Sequence, residues 1–244
     1  MENMKAETSP QVYARIGGLA YLIIIAAGAF GEMFIRNKII VSGDAIATAH
    51  NIAASPLLWR IGIAGDLIMH VCDLILAMVY YLLFKRVNKN LALLSVLFGL
   101  IQTAVLVANK LNLVIPLFLL ENADYLKAFG PNQLQALTYL SIKAHGYGFG
   151  IGLIFFGFEC LIDGYLIFKS GYLPRILGIL ILIAGLCYLT NSFAMIISPR
   201  WADLIFPAIL APAFIAELSI CLWLLIKGVD ITKWNKQLNN NAAI

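Results

Sequence analysis

The stretch Pro56–Phe84, PLLWRIGIAGDLIMHVCDLILAMVYYLLF, decides the fold class. It opens with Ser55-Pro56, where a serine side chain can cap free backbone N–H groups and proline suits the first helical position. From there the chain stays apolar far longer than a soluble core helix does. At 1.5 Å per residue it more than spans a bilayer core of about 30 Å. After Arg60 only Asp66, His70 and Asp73 break the apolar run, and they fall at i, i+4 and i+7, on one helical face. Ionisable groups inside lipid are costly and turn toward a bundle interior or a water-filled cavity. This one helix therefore implies a membrane and neighbours within it.

Five further apolar runs flank it. With 61% hydrophobic and 12% charged residues in 244, and a mean hydropathy of +0.88, the chain lies far from the balance of soluble domains. The sequence predicts an all-α, polytopic integral membrane bundle of six transmembrane helices. A nine-residue cytoplasmic segment (1–9) precedes the membrane domain (10–228), and a polar tail (229–244), ending in Asn239-Asn240-Asn241, is expected to lack fixed structure. Ser9-Pro10 opens the first span, which extends to about Ile35. Its acidic flank, with Glu2 and Glu7, favours a retained helix over a cleaved signal peptide. Asp44 opens a short interfacial helix to Ala54 in the first outer loop. The third span runs from Leu91 to about Leu120. Gly130-Pro131 starts a fourth helix reaching Phe168, so long that its first turns stand outside the membrane or it breaks near His145-Gly146. The fifth covers Pro174 to Ile197, and Pro207 and Pro212 kink or divide the sixth, between Pro199 and Lys227.

Ten of the seventeen Lys and Arg residues fall on the side of the termini, which places both termini in the cytoplasm and the chain in the cell membrane. Trp59 reads as part of an outer aromatic belt. The basic residues flank apolar runs without a stripe of interleaved aromatics, so the partner is the lipid bilayer and not nucleic acid. The four cysteines lie inside apolar runs and form neither a disulfide framework nor a zinc pattern. No HExxH or HxxxH motif, phosphate loop or GxSxG elbow occurs, so no metal or cofactor is expected.

At the depth of Asp66 and His70, the neighbouring spans bring Glu32, Asn109, Lys110, Asn112 and His145 into an outer polar cluster. A deeper tier holds Asp73, Gln102, Glu159 and Glu217, with Asp163 nearer the cytoplasm. The expected ligand-binding residues are Asp66, His70, Asp73, His145, Glu32, Lys110, Asn109 and Glu159; the plainer reading has them as hydrogen bonds and ion pairs, such as Lys110 with Asp66, that hold helices together. His50, in the interfacial helix, reads as a solvated surface residue. The run His145-Gly146-Tyr147-Gly148-Phe149-Gly150-Ile151-Gly152 contains a GYG triplet, but no filter-like Thr-Val precedes it. Gly146/Gly150 and Gly148/Gly152 instead make two faces for close helix approach.

Several segments carry a family resemblance: Ala14-Arg15-Ile16-Gly17-Gly18 with Glu32, Gly43-Asp44-Ala45, Asp66-Leu67-Ile68-Met69 with Cys72-Asp73, the run from Gly146 to Gly157, and Gly171-Tyr172-Leu173-Pro174-Arg175-Ile176-Leu177-Gly178. Over about residues 10–228 the chain resembles a bacterial multi-pass membrane family catalogued as domain of unknown function 4386. The resemblance implies an all-helical membrane protein and supplies no catalytic residues. Three functions compete. The first is binding, sensing or transport of a small polar solute, ion or lipid through an intramembrane polar cavity. The second is a noncatalytic membrane scaffold, and the third an intramembrane metal-assisted hydrolase; an enzyme is the less favoured class.

Overall fold

In the computed structural model, which describes residues 9–121 and 123–241, six helices are long and apolar enough to cross a membrane: Pro10–Ile39, Pro56–Phe84, Lys89–Leu119, Pro131–Ser170, Arg175–Ile197 and Ala208–Ile226. No strand occurs among the described residues. The chain is an integral membrane protein with an all-helical bundle. The first span consists of α1 (Pro10–Ala29), a π-helical turn over Phe30–Arg36 and a last α turn over Asn37–Ile39. After it come α2 (Ala45–Ala54), α3 (Pro56–Phe84), α4 (Lys89–Asn109) and α5 (Leu111–Leu119). The rest of the chain forms α6 (Pro131–Ser170), α7 (Arg175–Ile197), α8 (Pro199–Ile205), α9 (Ala211–Ile226) and α10 (Ile231–Asn241).

Caps mark several boundaries, although the Ser55 and Ser198 side chains, expected to cap, make no capping bond. The Ser9 hydroxyl accepts from the Gln11 N–H at 3.4 Å, the Asp44 carboxylate from Ala47 at 2.9 Å and Asn88 from Leu91 at 3.0 Å. Gly171 and Gly228 close α6 and α9 at φ +71°, the left-handed conformation that glycine adopts without a Cβ penalty. The third span is two helices joined by a tight turn at Lys110, where the Lys110 N–H bonds back to Val107 at 3.1 Å. α6 does not break at His145-Gly146. Its 40 residues are about 60 Å long, roughly twice a bilayer core, so its N-terminal turns stand clear of the lipid. α2 packs beside them, tied by the Gly43 N–H to the Tyr139 hydroxyl at 2.7 Å. The sixth run divides at Pro207, leaving α8 as a separate short helix.

Lipid as solvent inverts the usual pattern. On α3 the inward face carries Asp66, His70 and Ala77, all buried, while Ile68, Val71 and Met78 are more than half exposed. Two apolar clusters brace the bundle. The larger, at the end holding the termini, includes Val79, Leu83, Phe84, Leu166, Ile167 and Leu224; the smaller, at the opposite end, gathers Ile35, Ile52, Trp59, Leu113 and Leu117. Trp59 is thus no belt residue: it is 2% exposed and donates to the Leu113 carbonyl at 2.7 Å. Helix crossings are close where glycines meet. A Cβ on Gly164 would lie 2.8 Å from the Gly178 carbonyl, and one on Gly18 2.7 Å from the Leu225 nitrogen.

The segment after Asp230, expected to lack fixed structure, forms α10. Its composition is polar, but Trp234 is buried and supplies the anchor, packed edge-on against Tyr172 at 4.8 Å with the Arg86 guanidinium over its face. The Asp230 N–H also donates to the Tyr172 carbonyl at 3.0 Å. Burial pushes the Tyr172 phenol up from its ordinary value, so it remains a donor to the Leu83 carbonyl. The two chain ends meet through Gln11, whose amide donates to the Lys227 carbonyl and accepts from Val229.

Candidate functional site

The Asp66, His70, Asp73 stripe points inward as its spacing predicts, but it serves two cavities rather than one. The larger, of about 920 Å³, lies at the end away from the termini; Glu32, Arg36, Asp66, Lys110 and His145 are among its lining residues. The smaller, of about 40 Å³, lies deeper, inside the larger apolar cluster. Asp73, Gln102, Glu159 and Asp163 line it.

Asp66 is the centre of the larger site. Its carboxylate is fully buried, and one oxygen, Oδ2, accepts from both Arg36 Nη1 and Lys110 Nζ at 2.8 Å. Arg36 Nε continues the chain to Glu32 Oε2 at 2.7 Å. Two cations thus face two carboxylates, a neutral set, which is the condition for holding charge in a low-dielectric interior. Each member is placed by a local device. The tight turn at Lys110 separates α4 from α5, and the π turn over Phe30–Arg36 carries both Glu32 and Arg36. Gly31 has no side chain for a reason: a Cβ there would lie 2.9 Å from Asp66 Oδ1 and 3.0 Å from Arg36.

Three polar atoms of residues that line this cavity are buried and have no hydrogen-bond partner: Asp66 Oδ1, His145 Nε2 and Asn191 Oδ1. Such atoms are expensive in an interior and mark places where a water or a ligand group completes the structure. The cavity is also lined by apolar side chains, Met69, Phe149, Leu153, Met195 and Phe206. Tyr139, Lys143 and Asp203 stand among its polar residues.

His70 and Asp73 leave this set. The His70 ring meets Asp73 Oδ2 at 2.9 Å through Nδ1, its Nε2 is buried without a partner, and neither residue lines the larger cavity. Asn109 is spent on packing: its amide donates to the His145 carbonyl at 2.8 Å while its oxygen accepts from Asn112. Gly148 admits it, since any Cβ there would overlap the Asn109 amide. Gly152 meets Leu106 and Gly150 meets Met195 in the same way, so these glycines serve close approach. Glu159 belongs to the smaller cavity. His50 is exposed, as a surface residue should be. The four cysteines are buried and free.

Arg36, Asn191 and Tyr139 are the residues that sequence reasoning missed. For Arg36 a signal existed, its i, i+4 relation to Glu32, which pairs opposite charges at the end of a span. Asn191 offers none, being one amide in an apolar run.

The model of the family described as domain of unknown function (DUF4386) matches residues 16–228, and the chain belongs to that family. An uncharacterised protein of Archaeoglobus fulgidus is 29% identical over 172 residues, covering 70% of this chain and 86% of the relative. No solved structure matches.

Proposed function

We propose that this member of the DUF4386 family binds a small amphipathic molecule with a zwitterionic headgroup of the phosphoethanolamine type. The molecule enters the larger cavity as the first step of its transport or sensing. The carrying observation is the lining itself, in which three residues with unpartnered buried polar atoms occur together with Arg36, Lys110 and Glu32. Both charges are present, so a headgroup with both signs gains on each side. The apolar side chains in the same lining suit an acyl or other hydrocarbon portion. About 920 Å³ lies within the roughly 300–1,000 Å³ of small-molecule sites.

The protein sits in the cell membrane with both termini cytoplasmic. The excess of Lys and Arg toward the termini supports this, and the cavity then opens on the outer side. A reporter fused after Asn240 should be active only in the cytoplasm, and activity outside would reverse the orientation.

The binding test uses detergent-purified protein and follows its thermal unfolding with phosphatidylethanolamine or with soluble glycerophosphoethanolamine. Stabilisation by the lipid alone identifies a lipid ligand; stabilisation by both identifies the headgroup as sufficient. Asn191→Leu removes an unpartnered amide outside the ion network, so it should preserve folding while weakening binding about tenfold, the loss of one hydrogen bond. No stabilisation by either compound refutes the proposal.

A scaffold reading draws on the ion network, since Arg36–Asp66–Lys110 links three spans without any ligand. It leaves the three unpartnered atoms unexplained.

A further inference from the structure

We propose that the smaller cavity is a proton-binding site, in which Glu159 and Asp163 hold an exchangeable proton supplied along the His70–Asp73 pair. This stands independently of the ligand reading, since it concerns a different cavity.

The cavity of about 40 Å³ has room for a few water-sized groups. Glu159 and Asp163 lie one turn apart on α6 and so share its face, and Asp73 joins them from α3. No Lys or Arg lines this space. The other titratable groups around it are Tyr21 from α1, His70 and Tyr80 from α3 and Cys160 from α6. Tyr188 from α7 and Glu217 from α9 bond to each other nearby. α4 contributes only neutral groups, Gln102, Thr103 and the Ser95 hydroxyl, which donates to Asp163 Oδ1 at 2.6 Å.

Several carboxylates gathered in a low-dielectric interior without a cation cannot all be ionised. A bound cation or a proton must offset them. Among the described residues no three His, Cys, Asp or Glu side chains are arranged to hold a metal, and a proton needs no such ligand shell. Two further observations show that the space is built for such a group. The Tyr80 hydroxyl, on a cavity-lining residue only 8% exposed, has no partner. Gly99 clears space for the Glu159 carboxyl, since a Cβ there would stand 2.6 Å from Oε1.

The route follows the α3 stripe. Asp66 lines the larger cavity and Asp73 the smaller, about 10 Å apart along the helix, with His70 between them. His70 bonds Asp73 through Nδ1 and carries a buried, unpartnered Nε2. An imidazole takes a proton on one nitrogen and releases one from the other. The relay carries a proton from the Asp66 side of α3 through His70 to Asp73 and then to Glu159 or Asp163, where a carboxylate becomes a carboxylic acid. Deprotonation returns it by the same route, with no other bond changed.

Infrared difference spectroscopy of the full-length protein between acid and alkaline pH, in potassium buffer, tests this through the carbonyl band of a protonated carboxyl group. The band should be present at acid pH, vanish at alkaline pH, and be lost in Glu159→Gln or Asp163→Asn. Tyr80→Phe keeps the ring packing and should shift the band, which gives a readout even where the carboxyl variants fail to fold. His70→Gln should slow its response to a pH jump about tenfold or more while leaving its position unchanged. No titrating carboxyl band in the wild type, a band untouched by Tyr80→Phe and the carboxyl variants, or displacement of the band when sodium replaces potassium would each overturn the site. An unchanged response rate in His70→Gln would overturn the route.

Discussion

Asp66→Asn is the sharpest perturbation available, because it removes the one buried anion that two cations share while leaving shape and volume almost unchanged. In the wild type Arg36 Nη1 and Lys110 Nζ both lie 2.8 Å from Oδ2, on a carboxylate with no exposure. Arg36 keeps a second carboxylate through its 2.7 Å bond to Glu32, so the charge left uncompensated in the variant is chiefly that of Lys110, whose side chain is 5% exposed. Removing one partner of a buried ion pair costs about 3–5 kcal/mol. The retained Arg36–Glu32 pair puts the expected loss near the lower end, about 3 kcal/mol. For a chain of this length each kcal/mol moves the unfolding temperature by about 2–4 °C, which gives a fall of roughly 6–12 °C. Thermal unfolding of detergent-purified protein, followed by tryptophan fluorescence, measures it. The decisive control is Asp66→Asn combined with Lys110→Met, which removes the stranded charge with its partner and should recover most of the loss. A single variant within about 0.5 kcal/mol of wild type, or a double variant no more stable than the single, would refute the account of the network as mutually compensating charges.

Gly148→Leu with Gly152→Leu should force α6 away from Asn109 and Leu106 and cost about 1–3 kcal/mol or more by overpacking, read as a lower unfolding temperature; an unchanged temperature would show that this face is not tightly packed. Trp234→Ala should release α10 from Tyr172 and Arg86, costing about 3–5 kcal/mol of local docking and exposing residues 231–236 to amide hydrogen exchange while the spans stay protected. The Lys233 backbone N–H, with the Lys233 ammonium nearby, holds the Asp230 carboxyl below the usual carboxylate value. Its contribution to α10 is therefore present above the unfolded carboxyl value and lost as pH falls through the lower folded one. Protection of amides 231–236, taken relative to their intrinsic exchange rate at each pH, should fall across that acid window in the wild type, while Asp230→Asn should remove this change in protection.

Much of the architecture was legible without coordinates, because the bilayer acts locally. A helix in lipid must be apolar over about twenty residues and must satisfy its own backbone, so span count and helical class follow from run length and hydropathy. The boundaries at Ser9-Pro10, Asp44 and Gly228 follow equally from the backbone groups that helix ends leave free. The inward direction of Asp66 and His70 was also implied, since lipid cannot solvate them. What each inward side chain meets is a different question. It depends on the azimuth and register of neighbouring helices, and one residue of register turns a side chain by about 100°. The π turn over Phe30–Arg36 carries Arg36 at the Asp66 end of the bundle, and no pattern of apolar residues announces such a turn. The same dependence sends Asp66 to the larger cavity and Asp73 to the smaller, although one helix face carries both. Asn109 turned to packing and Trp59 to the interior for this reason, and α10 gained order from a single buried tryptophan against Tyr172. The sequence alone therefore determined the solvent, the spans and the inward faces, all consequences of solvation along one chain. Only the tertiary structure decided the pairings and the two cavities, because those arise where chains of contacts from separate helices meet.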